Sequence, residues 1–159
     1  MAISLPANVT FDGRDHSIKA TVDVANGGLF NITTDNVTIK NTTIVTNGHL
    51  KYGVQFYANN GCTLEDVTIN GGYYSAVLVN GATCVTIKDC DLNPMVAGEK
   101  RPYANIDYSL SDSAQASGGT SPSMTIDNVS FDDGYYAVWA DQATTSNIKE
   151  ELEESGGTV

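Results

Sequence analysis

Along Val85-Thr86-Ile87-Lys88-Asp89-Cys90-Asp91-Leu92-Asn93 apolar and polar positions alternate, break at a polar pair, and resume alternating. Three other stretches repeat the pattern: Val37-Thr38-Ile39-Lys40-Asn41-Thr42-Thr43-Ile44, Cys62-Thr63-Leu64-Glu65-Asp66-Val67-Thr68-Ile69-Asn70 and Met124-Thr125-Ile126-Asp127-Asn128-Val129-Ser130-Phe131-Asp132. A period of two on either side of a polar pair predicts two short strands joined by a sharp bend. Successive copies begin 25, 23 and 39 residues apart. A self-similar period in the twenties predicts a solenoid of stacked coils.

Aligning the copies names the side chains expected to stack inward. They are Val37, Cys62, Val85 and Met124; Ile39, Leu64, Ile87 and Ile126; Thr42, Val67, Cys90 and Val129; and Ile44, Ile69, Leu92 and Phe131. A further strand signal recurs once per coil, as Leu29 to Ile32, Gly53-Val54-Gln55-Phe56, Ala76-Val77-Leu78-Val79 and Ala137-Val138-Trp139-Ala140. Gly53 and Ala76 are separated by the same 23 residues as Cys62 and Val85, so all faces of a coil advance together, as a parallel stack requires. Asn41, Asp66, Asp89 and Asn128 fall at the bend, where Asn and Asp suit a tight corner because they tolerate left-handed backbone. Outward from the first strand, Thr38, Thr63, Thr86 and Thr125 form a row that reads either as β-branched surface or as a flat contact face for another subunit.

Near the amino terminus, Val9-Thr10-Phe11-Asp12-Gly13 followed by Ser17-Ile18-Lys19 resembles the first coil of the right-handed parallel β-helices of the pectate-lyase-like superfamily. The repeats above resemble the later coils of that family. The resemblance implies an all-β fold, a right-handed single-stranded parallel β-helix of about five to six coils, and a single domain over residues 1–159. Lyases of this family use calcium-binding carboxylates with an Arg or Lys base, and its hydrolases use clustered Asp residues. The short stack is also similar to β-helical parts of phage virions, capsid decoration proteins or tail-spike pieces, which are often trimers.

One break interrupts the period, at residues 94–123. Its centre, Tyr103-Ala104-Asn105-Ile106-Asp107, reads as a displaced strand inside a loop insertion, with Lys100 and Arg101 as an adjacent basic pair. Residues 145–155 carry the best helix pattern, capped by Ser146, with Ile148 and Leu152 as an i, i+4 apolar pair. Such a helix suits a lid over an open solenoid end. At the corners between coils, Gly71-Gly72-Tyr73-Tyr74 and Asp133-Gly134-Tyr135-Tyr136 recur, with Tyr52 at the related place and Trp139 close by. Tyr52, Tyr73, Tyr74, Tyr135, Tyr136 and Trp139, together with Lys100 and Arg101, are therefore the candidate contacts to a partner protein or a glycan, against the plainer reading of corner packing.

Charge and chemistry narrow the function classes. A formal net charge of −11 works against nucleic acid or an anionic membrane as partner. No apolar run reaches the ~20 residues of a membrane span. Residues 1–7 lack the basic start and long apolar region of a signal peptide. Synthesis in the cytoplasm is expected, with a final place on a virion surface if the chain is viral, or on a cell surface as part of a larger protein. Three cysteines exclude a complete disulfide framework, and Cys62 and Cys90 fall in inward slots while Cys84 sits in a turn. For catalysis the signals are thin. Arg14 and Arg101 lie away from any Asp pair, Asp132 and Asp133 occupy a corner, and His16 and His49 lack metal spacing. No catalytic residue, metal or cofactor is expected. The reading is a non-catalytic structural or binding module in a homo-oligomer, a trimer, and in a larger protein assembly; the alternative is a glycan-binding or polysaccharide-degrading module of a bacterial surface protein.

Overall fold

The computed structural model describes residues 2–21, 23–95, 102–132 and 134–140, with the side chains of residues 24–26 left aside. Among the described residues ten strands run in chain order: β1 Thr10–Lys19, β2 Val24–Ile32, β3 Thr38–Val45, β4 Leu50–Tyr57, β5 Thr63–Asn70, β6 Ser75–Asn80, β7 Val85–Asn93, β8 Ala104–Ser109, β9 Met124–Phe131 and β10 Tyr136–Ala140. A short helix, α1 Asp112–Ala116, lies between β8 and β9. Odd-numbered strands form one parallel sheet in the order β1-β3-β5-β7-β9, and even-numbered strands form the other in the order β10-β8-β6-β4-β2. Each strand pairs with the one two places along the chain, so the protein is an all-β parallel solenoid, as its periodicity predicts.

The number of coils is corrected. The solenoid has about three turns rather than five to six. Among the described residues the β3–β4, β5–β6 and β7–β8 coils have neighbours on both sides in both sheets, whereas β1, β9 and β10 are edge strands and β2 gains a bridge from Ile3 to Phe30. Rows that the sequence places inward are inward. Val37, Ile39, Ile44, Cys62, Leu64, Ile69, Val85, Ile87 and Leu92 have no exposed surface. Val129 and Phe131, on the last odd strand, are only partly buried. The second sheet supplies matching rows, Phe30, Val54, Val77, Ile106 and Val138, and then Ile32, Phe56, Val79, Tyr108 and Ala140. In the first of these strands Phe30 and Ile32 are fully buried and Leu29 nearly so, where the sequence points to Leu29 and Ile32 as the inward pair.

The bend also differs in form from the expected break between two strands. Pairing skips the bend residue and resumes in the same register beyond it, so Val85–Asn93 is one strand with one left-handed residue inside. Asn41, Asp66, Asp89 and Asn128 all have φ of 50 to 51°. A single left-handed residue turns the strand without shifting its register, and one strand thereby serves two faces of the coil. A second left-handed column sits just before the inward residue that opens each of the first four coils: Asn8, Asn36, Gly61 and Cys84, with φ of 61, 56, 71 and 52°. At Gly61 a Cβ would come within 2.6 Å of Asn36 Oδ1, so a side chain there requires the Asn36 amide to turn aside.

Residues 94–123 contain more than a loop. The displaced strand is present as β8, in register between β6 and β10. The Gly/Ser-rich stretch after it forms α1, whose N-cap Ser111 accepts from the Ala114 amide. Asn80 holds this helix to the coil below: its Nδ2 donates to Ser111 Oγ at 2.9 Å and its Oδ1 accepts from the Ser111 amide at 2.9 Å. The insertion is thus one enlarged coil in which the extra residues fold against the side of the stack. The helix expected at residues 145–155 lies outside the described residues.

Candidate functional site

Two outward surfaces distinguish the molecule. The first is the exterior of the odd-numbered sheet. Thr38, Thr63, Thr86 and Thr125 align there as expected, and Thr10 extends the row to five. The row two positions on was not anticipated: Asp12, Lys40, Glu65, Lys88 and Asp127 are register neighbours, so charge alternates at every rung. Lys88 Nζ meets Glu65 Oε1 at 2.8 Å, and that carboxylate raises the lysine pKa. The Arg14 amide and the Asn41 side chain both donate to Asp12 Oδ1 at 3.0 Å, which holds its carboxyl below the usual range. At the bend, Asn128 donates to Asp89 Oδ1 at 2.6 Å, so the two acids Asp66 and Asp89 sit in a column that amides partly relieve. The row therefore alternates in charge with threonines beside it, and within it Lys88 pairs with Glu65 while Asp12 is held by the Arg14 amide and Asn41.

The second surface is the corner leading into β6, β8 and β10, and it gathers most of the aromatic candidates. Tyr52 packs edge-on against Tyr74 at 6.1 Å, Tyr74 stacks on Tyr103 at 5.1 Å, and Tyr103 meets Tyr136 at 5.7 Å and Trp139 at 5.0 Å. Tyr136 and Trp139 close the group at 5.5 Å. The column forms because a tyrosine recurs within one residue of the same register position in successive coils: Tyr52 and Tyr136 align with Ser75 and Ala104, and Tyr74 and Tyr103 stand one place before them; the amide of Tyr103 donates to the carbonyl of Tyr74, and that of Tyr136 to Tyr103. Lys51 Nζ lies 4.7 Å from the Tyr74 ring centre and 5.3 Å from that of Tyr52, within range of cation–π attraction.

Exposure grades along this column. Tyr52 is buried and its hydroxyl donates to Asp107 Oδ2 at 3.3 Å, so it is a packing residue and not a contact for a partner. Burial, then the Asp107 carboxylate, push the Tyr52 pKa up. Tyr74 and Tyr103 are half-buried, and burial is the first cause of the raised pKa of each. Tyr73, Tyr135, Tyr136 and Trp139 are exposed, Tyr135 most of all at 65%. Asp107 is the register neighbour of Trp139 on β10, and Leu78 that of Asp107 on β6. Asp107 and Lys51 were not among the expected contacts; Asp107 stands, with Tyr103, inside the stretch where the period breaks. Lys100 and Arg101, which were, lie outside the described residues.

The other candidates stay apart. Cys62 and Cys90 are buried free thiols, with burial pushing Cys62 up and Cys90 up to about 12. Exposed Cys84 is at a left-handed corner. His49 Nδ1 meets Asp23 Oδ1 at 2.7 Å on the surface, while His16 Nδ1 contacts the carbonyls of Gly13 and Arg14. Asp132 is exposed beside the aromatic corner, and Asp133 lies outside the described residues. No helix among the described residues is long and apolar enough to cross a membrane. Compared with protein-family models, curated proteins and solved structures, the chain finds no match.

Proposed function

We propose that the protein is a non-catalytic structural and binding module that works through protein–protein contacts, in the manner of the pectate-lyase-like β-helices that serve as phage capsid-decoration or tail-spike parts. One observation carries the reading. The exposed large hydrophobic side chains among the described residues are Tyr73, Met95, Tyr135, Tyr136 and Trp139. All five belong to the segments entering β6, β8 and β10 or to β10 itself. Solenoid packing has no need to gather exposed apolar groups on one corner, and aromatic residues and Met are the types enriched where proteins meet. The coils beneath, tied by two ladders of hydrogen bonds, supply a rigid backing for that corner.

In a trimer three such corners would face one another or a common partner around the symmetry axis. Light scattering or sedimentation equilibrium of the purified chain at micromolar concentration tests this. A trimeric mass that falls to the monomer in Tyr135→Ser/Trp139→Ser supports the reading; a wild-type monomer counts against the trimer. A second reading, a glycan-binding or polysaccharide-degrading module, is favoured by the inclined rings of Tyr136 and Trp139. Polysaccharide turnover abolished by Asp132→Ala would establish it.

A further inference from the structure

We infer that the open end of the aromatic corner, formed by Tyr103, Tyr136 and Trp139, receives arginine side chains of a basic protein partner. The inference rests on the protein-contact reading above and names the chemistry of the partner. Three observations point the same way. The rings lie 5.0 to 5.7 Å from one another with planes inclined by 45 to 72°, so faces and edges are presented together rather than as one flat stack. At the opposite end of the same column the chain already places its own cation, Lys51, over Tyr74. Among the described residues no cation stands over Tyr136 or Trp139, though both are exposed.

Charge selects the class of partner. The chain carries a net −11, and the exposed carboxylate of Asp132 flanks the turn that carries Tyr135 and Tyr136. A cation approaching this corner is attracted at long range by the molecule as a whole and at contact by the ring faces. Arginine fits better than lysine because its flat guanidinium stacks on a ring while its N–H groups stay free to bond carboxylates and carbonyls. An acidic polysaccharide or nucleic acid would meet the wrong sign of field.

Trp139 is the one tryptophan of the chain, so its fluorescence reports directly on the site. The full chain is titrated at physiological salt with an oligo-arginine peptide, and in parallel with oligo-lysine, oligo-glutamate and a neutral oligosaccharide of similar length. The expected result is saturable change of Trp139 emission with oligo-arginine, several-fold weaker binding of oligo-lysine, and none of oligo-glutamate. Tyr136→Ala, a change at an exposed ring, is expected to weaken oligo-arginine binding by about tenfold, and Asp132→Asn by a few-fold. Unaltered emission, or equal binding by Tyr136→Ala, overturns the inference, the latter by assigning binding to net charge alone. A response to the oligosaccharide at lower concentration than to oligo-arginine overturns it in favour of a glycan. A monomeric chain that still binds the peptide through its rings would remove the trimer and leave this inference standing; a trimer blind to the peptide would do the reverse.

Discussion

Among the described residues, Cys84 shares with Arg14 and Ala58 a left-handed backbone without a Gly, Asn or Asp side chain. It occupies a left-handed corner, φ 52°, that Asn8 and Asn36 fill in earlier coils. Left-handed backbone is costly for ordinary L-residues and tolerated by Asn. Since Cys84 is exposed and unpaired with another cysteine, Cys84→Asn is expected to stabilise the fold by about 1 kcal/mol, read as a higher midpoint in thermal denaturation. The buried acids of the stack set a second expectation. Cys90 has its pKa raised from 9.0 to about 12, and Tyr108 from 10.0 to about 12, both chiefly by burial. Tyr52 shifts the same way. For such groups the folded chain holds the proton that the unfolded chain releases. Their stabilisation is complete below pH ~9 and is lost as pH rises through the range 9 to 12, at about 1.4 kcal/mol per pH unit for each group. Denaturant melts across that range should show the loss, and Cys90→Ala should flatten its onset.

At the scale of the strand, the unit is a row rather than a residue. Ile87 has Leu64 on one side and Ile126 on the other, and no exposed surface. Replacing it by Asn removes burial and leaves an amide in a row with no polar partner. Ile87→Asn is expected to cost on the order of 4 kcal/mol in a urea melt, and an unchanged midpoint would contradict the inward assignment. The rows were legible because parallel, in-register stacking brings like positions of the repeat together, so one aligned stretch stands for a whole ladder. The left-handed bend was legible as a polar pair, but not its form, because a strand that turns through one residue and a pair of strands meeting at a turn have the same alternation. The second left-handed column escaped notice because Asn8, Asn36, Gly61 and Cys84 share a backbone shape and not a chemistry. α1 was hidden because five residues held by Asn80 and a buried Ala114 carry too little periodicity to signal a helix.

For the whole molecule, charge and shape act together. The alternating row ends in Asp12 at one edge and Asp127 at the other, so a second copy added in register to the end of the stack would set carboxylate against carboxylate. This disfavours end-on growth and leaves the lateral aromatic corner as the better place for contacts, consistent with the exposed hydrophobics collected there. A chain with net charge −11 also repels itself in the folded state. Raising sodium chloride from ~10 to ~150 mM is expected to increase the thermal midpoint, since screening relieves the excess negative charge by more than it weakens single exposed pairs such as Lys88–Glu65. A midpoint that falls with salt would show that the alternating row outweighs the net charge.

What the sequence determined by itself was the repeat: which residues lie inside, that the strands run parallel, and that the break at residues 94–123 contains a strand. Those follow from periodicity, a property of the chain read locally and copied from coil to coil. Only the tertiary structure decided how many turns are flanked on both sides, which tyrosines are packing and which are surface, and that charges alternate up the odd-numbered sheet. Tyr52 and Tyr136 occupy the same register position, and one is buried while the other is exposed because Tyr52 has coils on both sides whereas Tyr136 stands on the last strand of its sheet. Position along the stack, which no local pattern encodes, is what turns a repeated corner residue into a surface open to a partner.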